Sequence, residues 1–371
     1  MRRIGILTFH RAVNYGAVLQ AYALSAVLQE HLEEGVVQII DYRCKYIEDA
    51  YKPWTPLNGN KIVAIVRAII KYRIKRIKRQ RFDHFLSTSL PLTKQAYCRE
   101  NIADANAVFD TFITGSDQVF NLRQSGQDLS YLLDFASNSK KLYSYAASVG
   151  RVSKYLENES EYLQQFKRFE QVSFRERMPQ TEQNDGFYGG WRVDIDPTLL
   201  MKREKWLQLA TASKHKDPYI LIYTMQRPKK LIRFAKELSA RTGLKLLYLD
   251  DSYVRHIGIE HIRGQSLEEF LGYFAYATYI LTTSFHGTVF SLQFRKKFYV
   301  ELDKTTNRNE RVEHLLRILG LLDRAIDQEG TIDTDQEIQW DEIDARIEEK
   351  RQESMKYVKN IISENGKLLR T

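Results

Sequence analysis

Short apolar runs alternate along the chain with longer segments of helical periodicity. In the first half, residues 3–8 have the pattern of a buried strand, residues 17–32 repeat apolar positions at helical spacing, and residues 36–40 form a second apolar run. A strand, a helix and a strand in this order favour a βαβ unit with parallel strands. The strand pattern returns at residues 107–114 and 141–146.

The second half repeats this alternation after a helix predicted at 153–171 and a short strand at 171–174. A Gly-containing polar stretch, residues 179–190, has the composition of a linker. Beyond it the pattern predicts strands at 219–223, 245–249, 279–281 and 297–300, with helices at 229–242, 266–276 and 288–294. Two doubly wound halves usually bind a ligand at the carboxyl ends of their strands, in a cleft between them.

The fold class expected from this pattern is α/β, with two Rossmann-like domains and a C-terminal helix. We expect an N-terminal domain at 1–178, which carries a mostly helical, basic insertion at 45–100. A C-terminal domain is expected at 191–334, and a charged helical segment at 335–371. The length of 371 residues is sufficient for two such domains.

Composition excludes several classes of protein. Cys44 and Cys98 are too few for a disulfide framework and lack the spacing of a metal site, which fits a reducing compartment. The apolar stretch after Arg2 and Arg3 is too short for the core of a signal peptide, and no apolar run is long enough to cross a membrane. We therefore expect a cytoplasmic protein without an obligatory metal.

The net charge of +9 comes from one segment. Residues 61–81 hold nine basic and no acidic residues, so the rest of the chain is neutral overall. Isoleucines and valines alternate with these cations, which predicts a basic amphipathic helix. Such a helix binds an anionic membrane surface or an acidic partner, or it packs on the core with a solvated basic face. Nucleic-acid binding is disfavoured because no recognition module accompanies the segment.

The segment Thr282-Thr283-Ser284-Phe285-His286-Gly287-Thr288 is the strongest chemical signal. It follows the apolar run 279–281 and precedes a predicted helix, so Ser and Thr stand where helix N-caps are favoured. A helix N-terminus binds anions, and a histidine there can also transfer a proton. The alternative is a strand-to-helix turn with a half-exposed histidine. The other seven histidines lack such a context and are expected at the surface or in packing.

Four further polar segments follow predicted strands. Each is weak by itself, because such turns are common, but together they have a defined order and spacing. They are Asn14-Tyr15-Gly16, Gly115-Ser116-Asp117-Gln118, Ala146-Ala147-Ser148-Val149-Gly150, and Ser173-Phe174-Arg175-Glu176 with the later Asp196-Pro197-Thr198.

With the His286 segment, these blocks resemble the polysaccharide pyruvyl transferase family over residues 3–324. The resemblance implies a fold like that of GT-B glycosyltransferases, with two Rossmann-like domains facing a cleft. It also implies transfer of a pyruvyl group from phosphoenolpyruvate to a sugar of a cell-envelope or exopolysaccharide precursor, as a ketal on two hydroxyls. One departure is the Gly- and Asn-rich stretch 178–192, where the family has a longer helix and strand.

The resemblance assigns roles to these residues. His286 is expected to be the acid/base or phosphate contact, and Arg175 to clamp the carboxylate or phosphate of the donor, unless Arg175 forms a structural salt bridge with Glu176 or a neighbour. The remaining donor-site residues would be Ser284, Phe285, Gly287 and Thr288. Acceptor or cleft residues, with structural duty in turns as the alternative, would be Asn14, Gly16, Gly115, Ser116, Asp117 and Gln118.

Phosphoenolpyruvate would be a co-substrate, with no cofactor or metal, and the acceptor a sugar or lipid-linked glycan. Peripheral contact of residues 61–81 with the inner face of a membrane is a further expectation. Two other functions stay open at this point. The same fold supports a glycosyltransferase that uses a nucleotide sugar, because a fold does not determine function. The fold would also suit a non-catalytic protein that binds a glycan or acts as a scaffold.

Overall fold

The computed structural model describes residues 1–53, 61–179, 191–212, 214–225, 228, 230–250, 256–302, 310–326 and 336–363. It contains two compact units. The first comprises Met1–Tyr51, Leu86–Met201 and Ile347–Thr371, and the second comprises Lys52–Phe85 and Lys202–Arg346.

The strands are β1 (Arg2–Leu7), β2 (Gly35–Tyr42), β3 (Leu92–Tyr97), β4 (Thr111–Asp117), β5 (Lys141–Ala147), β6 (Ser173–Phe174), β7 (Arg192–Val193), β8 (Tyr219–Tyr223), β9 (Lys245–Leu249), β10 (Glu260–Ile262), β11 (Tyr279–Thr282), β12 (Lys297–Glu301) and β13 (Ala325–Ile326). The α-helices are α1 (Tyr15–His31), α2 (Lys45–Ala50), α3 (Lys61–Ser89), α4 (Leu122–Ser125), α5 (Val152–Leu156), α6 (Glu159–Phe166), α7 (Pro197–Leu200), α8 (Arg203–Leu209), α9 (Lys230–Thr242), α10 (Leu267–Tyr276), α11 (Phe285–Gln293), α12 (Glu310–Leu319) and α13 (Trp340–Ile362). Single 3₁₀ turns lie at Ile102–Ala107, Leu129–Leu132 and Leu322–Arg324.

The first unit is built on a seven-stranded sheet of order β3-β2-β1-β4-β5-β6-β7, in which every pair of neighbours is parallel. Ile4 on the central strand lies opposite Val37 of β2 and Thr111 of β4. Helix α1 contacts β2 and β4 and also packs against α7. It is therefore buried around most of its circumference, which explains why its apolar residues do not keep to one face.

The second unit is built on a six-stranded sheet of order β10-β9-β8-β11-β12-β13, again with parallel neighbours. Ile280 on β11 lies opposite Leu221 of β8 and Phe298 of β12. In each sheet the chain starts at a central strand, runs outward to one edge, returns to the centre and then builds the other side. The order reverses between β1 and β4 and between β8 and β11, and ligands of such sheets bind outside the carboxyl ends of the strands at this point.

The predicted class, an α/β protein with two Rossmann-like sheets, is confirmed by these strand orders. The described part of segment 45–100 is mostly helical, as expected, and also contributes the edge strand β3 after its helices. Two local predictions were wrong. The helix expected at 153–171 is two short helices, α5 and α6, separated at Asn158. The helix expected at 288–294 begins earlier, at Phe285. The predicted linker 179–190 lies outside the described residues except for Pro179.

The compact units group the chain differently from the expected domains. Residues 52–85, expected in the insertion of a 1–178 domain, belong to the second unit. Residues from 347 onward, expected in a separate 335–371 segment, belong to the first. There Tyr357 donates a hydrogen bond to the Ser144 carbonyl at 2.8 Å and stacks on Tyr145. The expected domain boundaries concern parts of the chain that fold independently, and they stay a prediction.

The core of the second unit holds an aromatic cluster that seats α11. Phe290 of α11 makes edge contacts with Trp206 of α8, at 5.2 Å between ring centroids, and with Phe270 and Phe274 of α10. All four rings are buried, and aromatic pairs in this geometry add to the free energy gained from burial. The position of α11 therefore depends on apolar packing well away from its N-terminus.

Among the described residues, no helix is long and apolar enough to cross a membrane.

We predict that Trp206→Ala lowers the free energy of unfolding by about 3–5 kcal/mol, because the change leaves a cavity under α11. Leu207→Ala is the matched control on the same helix. Leu207 is 46% exposed, and we expect its truncation to cost far less. Urea denaturation followed by circular dichroism measures both. Equal losses in the two variants would contradict the packing role of Trp206.

Candidate active site

The turn between β11 and α11 forms one side of the reversal point in the second sheet. Thr282 Oγ1 donates to the carbonyl of Tyr223 at 2.7 Å and accepts from Ser284 N at 3.0 Å. Thr283 Oγ1 accepts from Met225 N at 3.0 Å, so two threonines tie the ends of β8 and β11 together. Ser284 is the N-cap of α11, and its hydroxyl accepts from Gly287 N at 3.3 Å. The turn is thus held by its own side chains.

Gly287 is required by a close approach of helix to strand. A Cβ at this position would overlap the Thr282 hydroxyl and crowd Tyr223. The glycine lets the first turn of α11 lie directly against the end of β11. Thr288 completes the turn by donating from its hydroxyl to the carbonyl of Ser284 at 3.1 Å.

His286 is the second residue of α11, so it lies in the first helical turn rather than in the preceding loop. It is 8% exposed, and its ring meets Phe285 edge-on at 5.3 Å between centroids. His286 is therefore buried, whereas the alternative interpretation expected a half-exposed histidine. Burial in a helical turn restricts the orientation of the imidazole, and proton transfer requires a positioned side chain.

The N-terminus of α11 differs in charge from those of the other helices that begin within residues 202–346. Among the α-helices that begin within the described parts of residues 202–346, α8, α10, α12 and α13 carry acidic residues in their first turn. At the start of α9, Leu231 N donates to the carboxylate of Glu301 at 2.7 Å. Helix α11 has no acidic residue in its first turn and is capped by a neutral hydroxyl. Its N-terminus therefore keeps the partial positive charge that attracts an anion.

Arg311 adds a cation near this helix start. Its guanidinium lies over the Phe285 ring, 5.8 Å from the centroid. Sequence reasoning missed Arg311, because it belongs to no recognisable block and only the fold brings α12 beside α11.

The reversal point of the first sheet holds most of the other predicted residues. Asn14 caps α1 by accepting from Ala17 N at 3.3 Å, and Gly16 is buried in the first turn of that helix. Across the reversal, β4 ends in Gly115, Ser116 and Asp117. Asp117 has a φ of 71°, in the left-handed region that a non-glycine residue adopts at a cost of about 1–3 kcal/mol. Such a strained backbone persists only where the surrounding structure enforces it, and residues of this kind are common at functional sites.

Arg175 is buried among partners of its own unit, and its side chain is 2% exposed. Its Nη2 donates to Ser116 Oγ at 2.6 Å and pairs with Asp196 Oδ2 at 2.8 Å, while Asp117 Oδ1 lies 3.9 Å from Nη1. The structural salt bridge weighed as an alternative is thus present, with Asp196 as the partner. Asp196 also caps α7 by accepting from Thr198 N at 2.9 Å.

Glu176 holds a different loop. Its Oε1 accepts from Val149 N at 2.7 Å and from Ser148 Oγ at 3.0 Å. Gln118 lies beside the same loop, where its Oε1 accepts from Asn121 Nδ2 at 3.0 Å under Gly150. Gln118 therefore has a structural partner, as the alternative interpretation of the acceptor residues allowed.

Two polar groups at this edge were missed by sequence reasoning. Burial and the charge of Asp117 raise the pKa of Tyr51, whereas its hydrogen bond with the Asn14 side chain acts in the opposite direction. Tyr51 therefore hydrogen-bonds with Asn14 and lies within reach of the charge of Asp117. No sequence signal marks Tyr51, since it lies at the end of the short helix α2.

The second missed group is His10, which is fully buried after β1 and contacts Asp41 at 3.4 Å. Burial lowers the pKa of His10, against the opposing effect of Asp41, so the imidazole is held neutral. Arg11 donates to the same carboxylate at 2.6 Å. Burial alone would raise the pKa of Asp41, but hydrogen bonds from His10 and Arg11 outweigh it and hold that pKa well below its usual range. Sequence reasoning had expected His10 only at the surface or in packing.

The predicted residues therefore form two groups, one in each unit. The group at α11 contains Ser284, Phe285, His286, Gly287 and Thr288. The group at β4 contains Asn14, Gly16, Gly115, Ser116, Asp117, Gln118 and Arg175. In the part of the chain that the structure describes, no cluster of three or more His, Cys, Asp or Glu residues could hold a metal ion.

Several solved structures align with most of this chain at low sequence identity. The UDP-GlcNAc 2-epimerase from Neisseria meningitidis bound to UDP-GlcNAc is 11% identical over 98% of this chain and 94% of that chain, with a TM-score of 0.46. The epimerase from Methanocaldococcus jannaschii is 12% identical over 94% and 92%, with a TM-score of 0.42. Spinosyn rhamnosyltransferase is 12% identical over 98% and 96%, with a TM-score of 0.41. At these identities and TM-scores, the activities of the three enzymes say nothing about the activity of this protein.

Sequence comparison is more specific. Among curated proteins, none matches the chain significantly. The sequence model of one family, however, matches residues 14–300, which include the Asn14, Asp117, Arg175 and His286 blocks and more than three quarters of the chain. The protein therefore belongs to the polysaccharide pyruvyl transferase family.

Proposed function

We propose that this protein transfers a pyruvyl group from phosphoenolpyruvate to a sugar of a cell-envelope or exopolysaccharide precursor, forming a cyclic ketal. The observation that carries the proposal is His286, buried in the first turn of α11 at the reversal point of a parallel sheet, within the matched family region. Phosphoenolpyruvate carries a carboxylate and a phosphate, so its binding needs cations and oriented N–H groups.

The α11 N-terminus supplies both kinds of group. It combines helix N–H groups, a neutral cap, a histidine and the nearby Arg311. The other α-helices that begin within the described parts of residues 202–346 have carboxylates at their starts. We therefore assign the donor phosphate to α11 and its surroundings.

The chemistry of ketal formation defines the other groups required. A proton adds to the methylene carbon of the donor, and two sugar oxygens bond to the neighbouring carbon. The two hydroxyl protons are released, and phosphate leaves with the electrons of its C–O bond. We assign delivery of the proton to His286. Acceptance of a hydroxyl proton is assigned to Asp117, whose side chain is 13% exposed at the carboxyl end of β4.

Arg175 is assigned a positioning role in this scheme. Its contacts with Ser116 and Asp196 hold the backbone that presents Asp117. This differs from the donor clamp that the family resemblance implied, and the two roles predict different kinetic effects.

The function is tested by supplying the purified protein with phosphoenolpyruvate or with nucleotide sugars and an extract of cell-envelope glycans. We expect phosphate release that depends on both phosphoenolpyruvate and glycan. Mass spectrometry should then show a glycan gain of one pyruvic acid less one water. Release of a nucleoside diphosphate from a nucleotide sugar would identify a glycosyltransferase. Glycan binding without turnover of either donor would identify a binding protein.

His286→Ala should lower turnover by about 10²–10⁴, as expected for loss of an acid/base group. His215→Ala is the control, because His215 belongs to the same unit but pairs with Glu260 at the amino-terminal side of β8. Initial rates at saturating substrates measure the effect. If His286→Ala keeps its fold and turns over within a few-fold of the parent, His286 takes no part in the chemistry.

Arg175→Lys should raise the Michaelis constant for the glycan about tenfold, and that for phosphoenolpyruvate much less. The lysine side chain is one atom shorter, so its ammonium falls short of the position from which Nη2 contacts both Ser116 and Asp196. Arg99→Lys is the control, since Arg99 forms a half-exposed pair with Asp134 in the same unit. Steady-state kinetics with each substrate varied in turn separates the two constants. A rise confined to phosphoenolpyruvate would make Arg175 a donor contact.

A further inference from the structure

The basic segment 61–81 belongs to helix α3, which confirms its predicted helical state. It carries nine cations and no acidic residue, and the rest of the chain is neutral overall. The remaining question is which face of the helix packs and which is left to solvent. Side-chain exposure from residue 71 onward, together with that of Ile69, answers it.

One face of α3 is buried. Phe82 and Phe85 are buried, and Lys78 is buried with its ammonium 5.4 Å from the Phe82 ring centroid. Arg81 forms an ion pair with Glu269 of α10. The loop at Gly264 approaches the backbone of Ile74 and the side chain of Ile77, which lies at the border of this face. This face therefore accounts for the alternative in which the helix packs on the core.

The opposite face is exposed and mixed in character. Its exposed side chains stand at i, i+4, i+7, i+8 and i+11, which places them on one stripe of a helix: Ile69, Arg73, Arg76, Ile77 and Gln80. Ile69 is 54% exposed and Ile77 is 47% exposed, although both are large and apolar. The cations paired with acidic groups, Arg79 with Asp83 and Arg81 with Glu269, lie off this stripe.

We propose that this stripe docks on an anionic lipid bilayer. A bilayer surface offers phosphates to Arg73 and Arg76 and an adjacent hydrocarbon boundary to Ile69 and Ile77, so it satisfies both halves of the pattern. An acidic protein or a nucleic acid would pair with the arginines but would offer no apolar surface to the two isoleucines. The proposal rests on the exposed face of α3 and holds whether or not the protein is a pyruvyl transferase.

The test is co-sedimentation of the full-length protein with vesicles of phosphatidylcholine alone or mixed with phosphatidylglycerol, at low and at high salt. We expect binding to the anionic vesicles that falls steeply with salt, because the screening length shrinks from about 10 Å at 0.1 M to about 3 Å at 1 M. Equal binding to both lipids, or none to anionic vesicles at low salt, would overturn the proposal.

Two double variants separate the contributions of charge and apolar contact. Arg73→Glu with Arg76→Glu should weaken binding about 30-fold or more, given about 1 kcal/mol for each cation lost. The matched control is Arg233→Glu with Lys236→Glu, which makes the same charge change on exposed positions of α9. A similar loss in this control would mean that net charge alone drives binding, and would remove the role of the stripe.

Ile69→Ser with Ile77→Ser keeps every charge. It should weaken binding to anionic vesicles severalfold while leaving retention on a heparin column unchanged. Unchanged vesicle binding in this variant, or tighter binding of the parent to duplex DNA than to vesicles at equal salt, would show that the stripe serves a soluble polyanion and not a bilayer. Circular dichroism and the unfolding midpoint confirm that each variant is folded.

Discussion

The buried ion pair between Arg175 and Asp196 is the contact on which the carboxyl edge of the first sheet depends. The Arg175 side chain is 2% exposed and that of Asp196 is fully buried, so neither charge is stabilised by water. Removing one partner from such a pair typically costs about 3–5 kcal/mol, because the other charge is left without compensation. Arg175 also binds Ser116, whose hydroxyl donates to the carbonyl of Ala146, and Asp196 caps α7. One interaction therefore joins the ends of β4, β5 and β6 to the start of α7.

In the second unit, neutral hydroxyl groups hold the carboxyl ends of the central strands. Thr282, Thr283 and Ser284 hold the ends of β8 and β11 and cap α11 through hydroxyls. Without a carboxylate in the first turn, the partial positive charge of the α11 N-terminus remains available. The two sheets share one strand order but differ in the charge at their reversal points. The first ends in a carboxylate held by a buried cation, and the second in a helix start suited to an anion.

The fold was largely predictable because its strands are continuous apolar runs that alternate with helices. Short edge strands such as β3 and β10 escaped prediction, since Leu92–Tyr97 and Glu260–Ile262 contain polar side chains and pair along only one side. The start of α11 was set too late because Phe285, His286 and Gly287 do not have helical periodicity. The turn hydroxyls at Thr282 and Ser284, and not apolar spacing, determine where that helix begins.

The sequence by itself determined the alternation of parallel strands and helices, the helix cap in the turn at Ser284, and the blocks that identify the family. All of these depend on residues close together along the chain. Only the tertiary structure decided that Arg175 pairs with Asp196 and not with its neighbour Glu176, that Tyr51 lies beside Asn14, and that Arg311 stands next to Phe285. It also decided which face of α3 is buried. These contacts join residues that are distant in sequence, and their selection depends on strand order and burial, which local patterns do not encode.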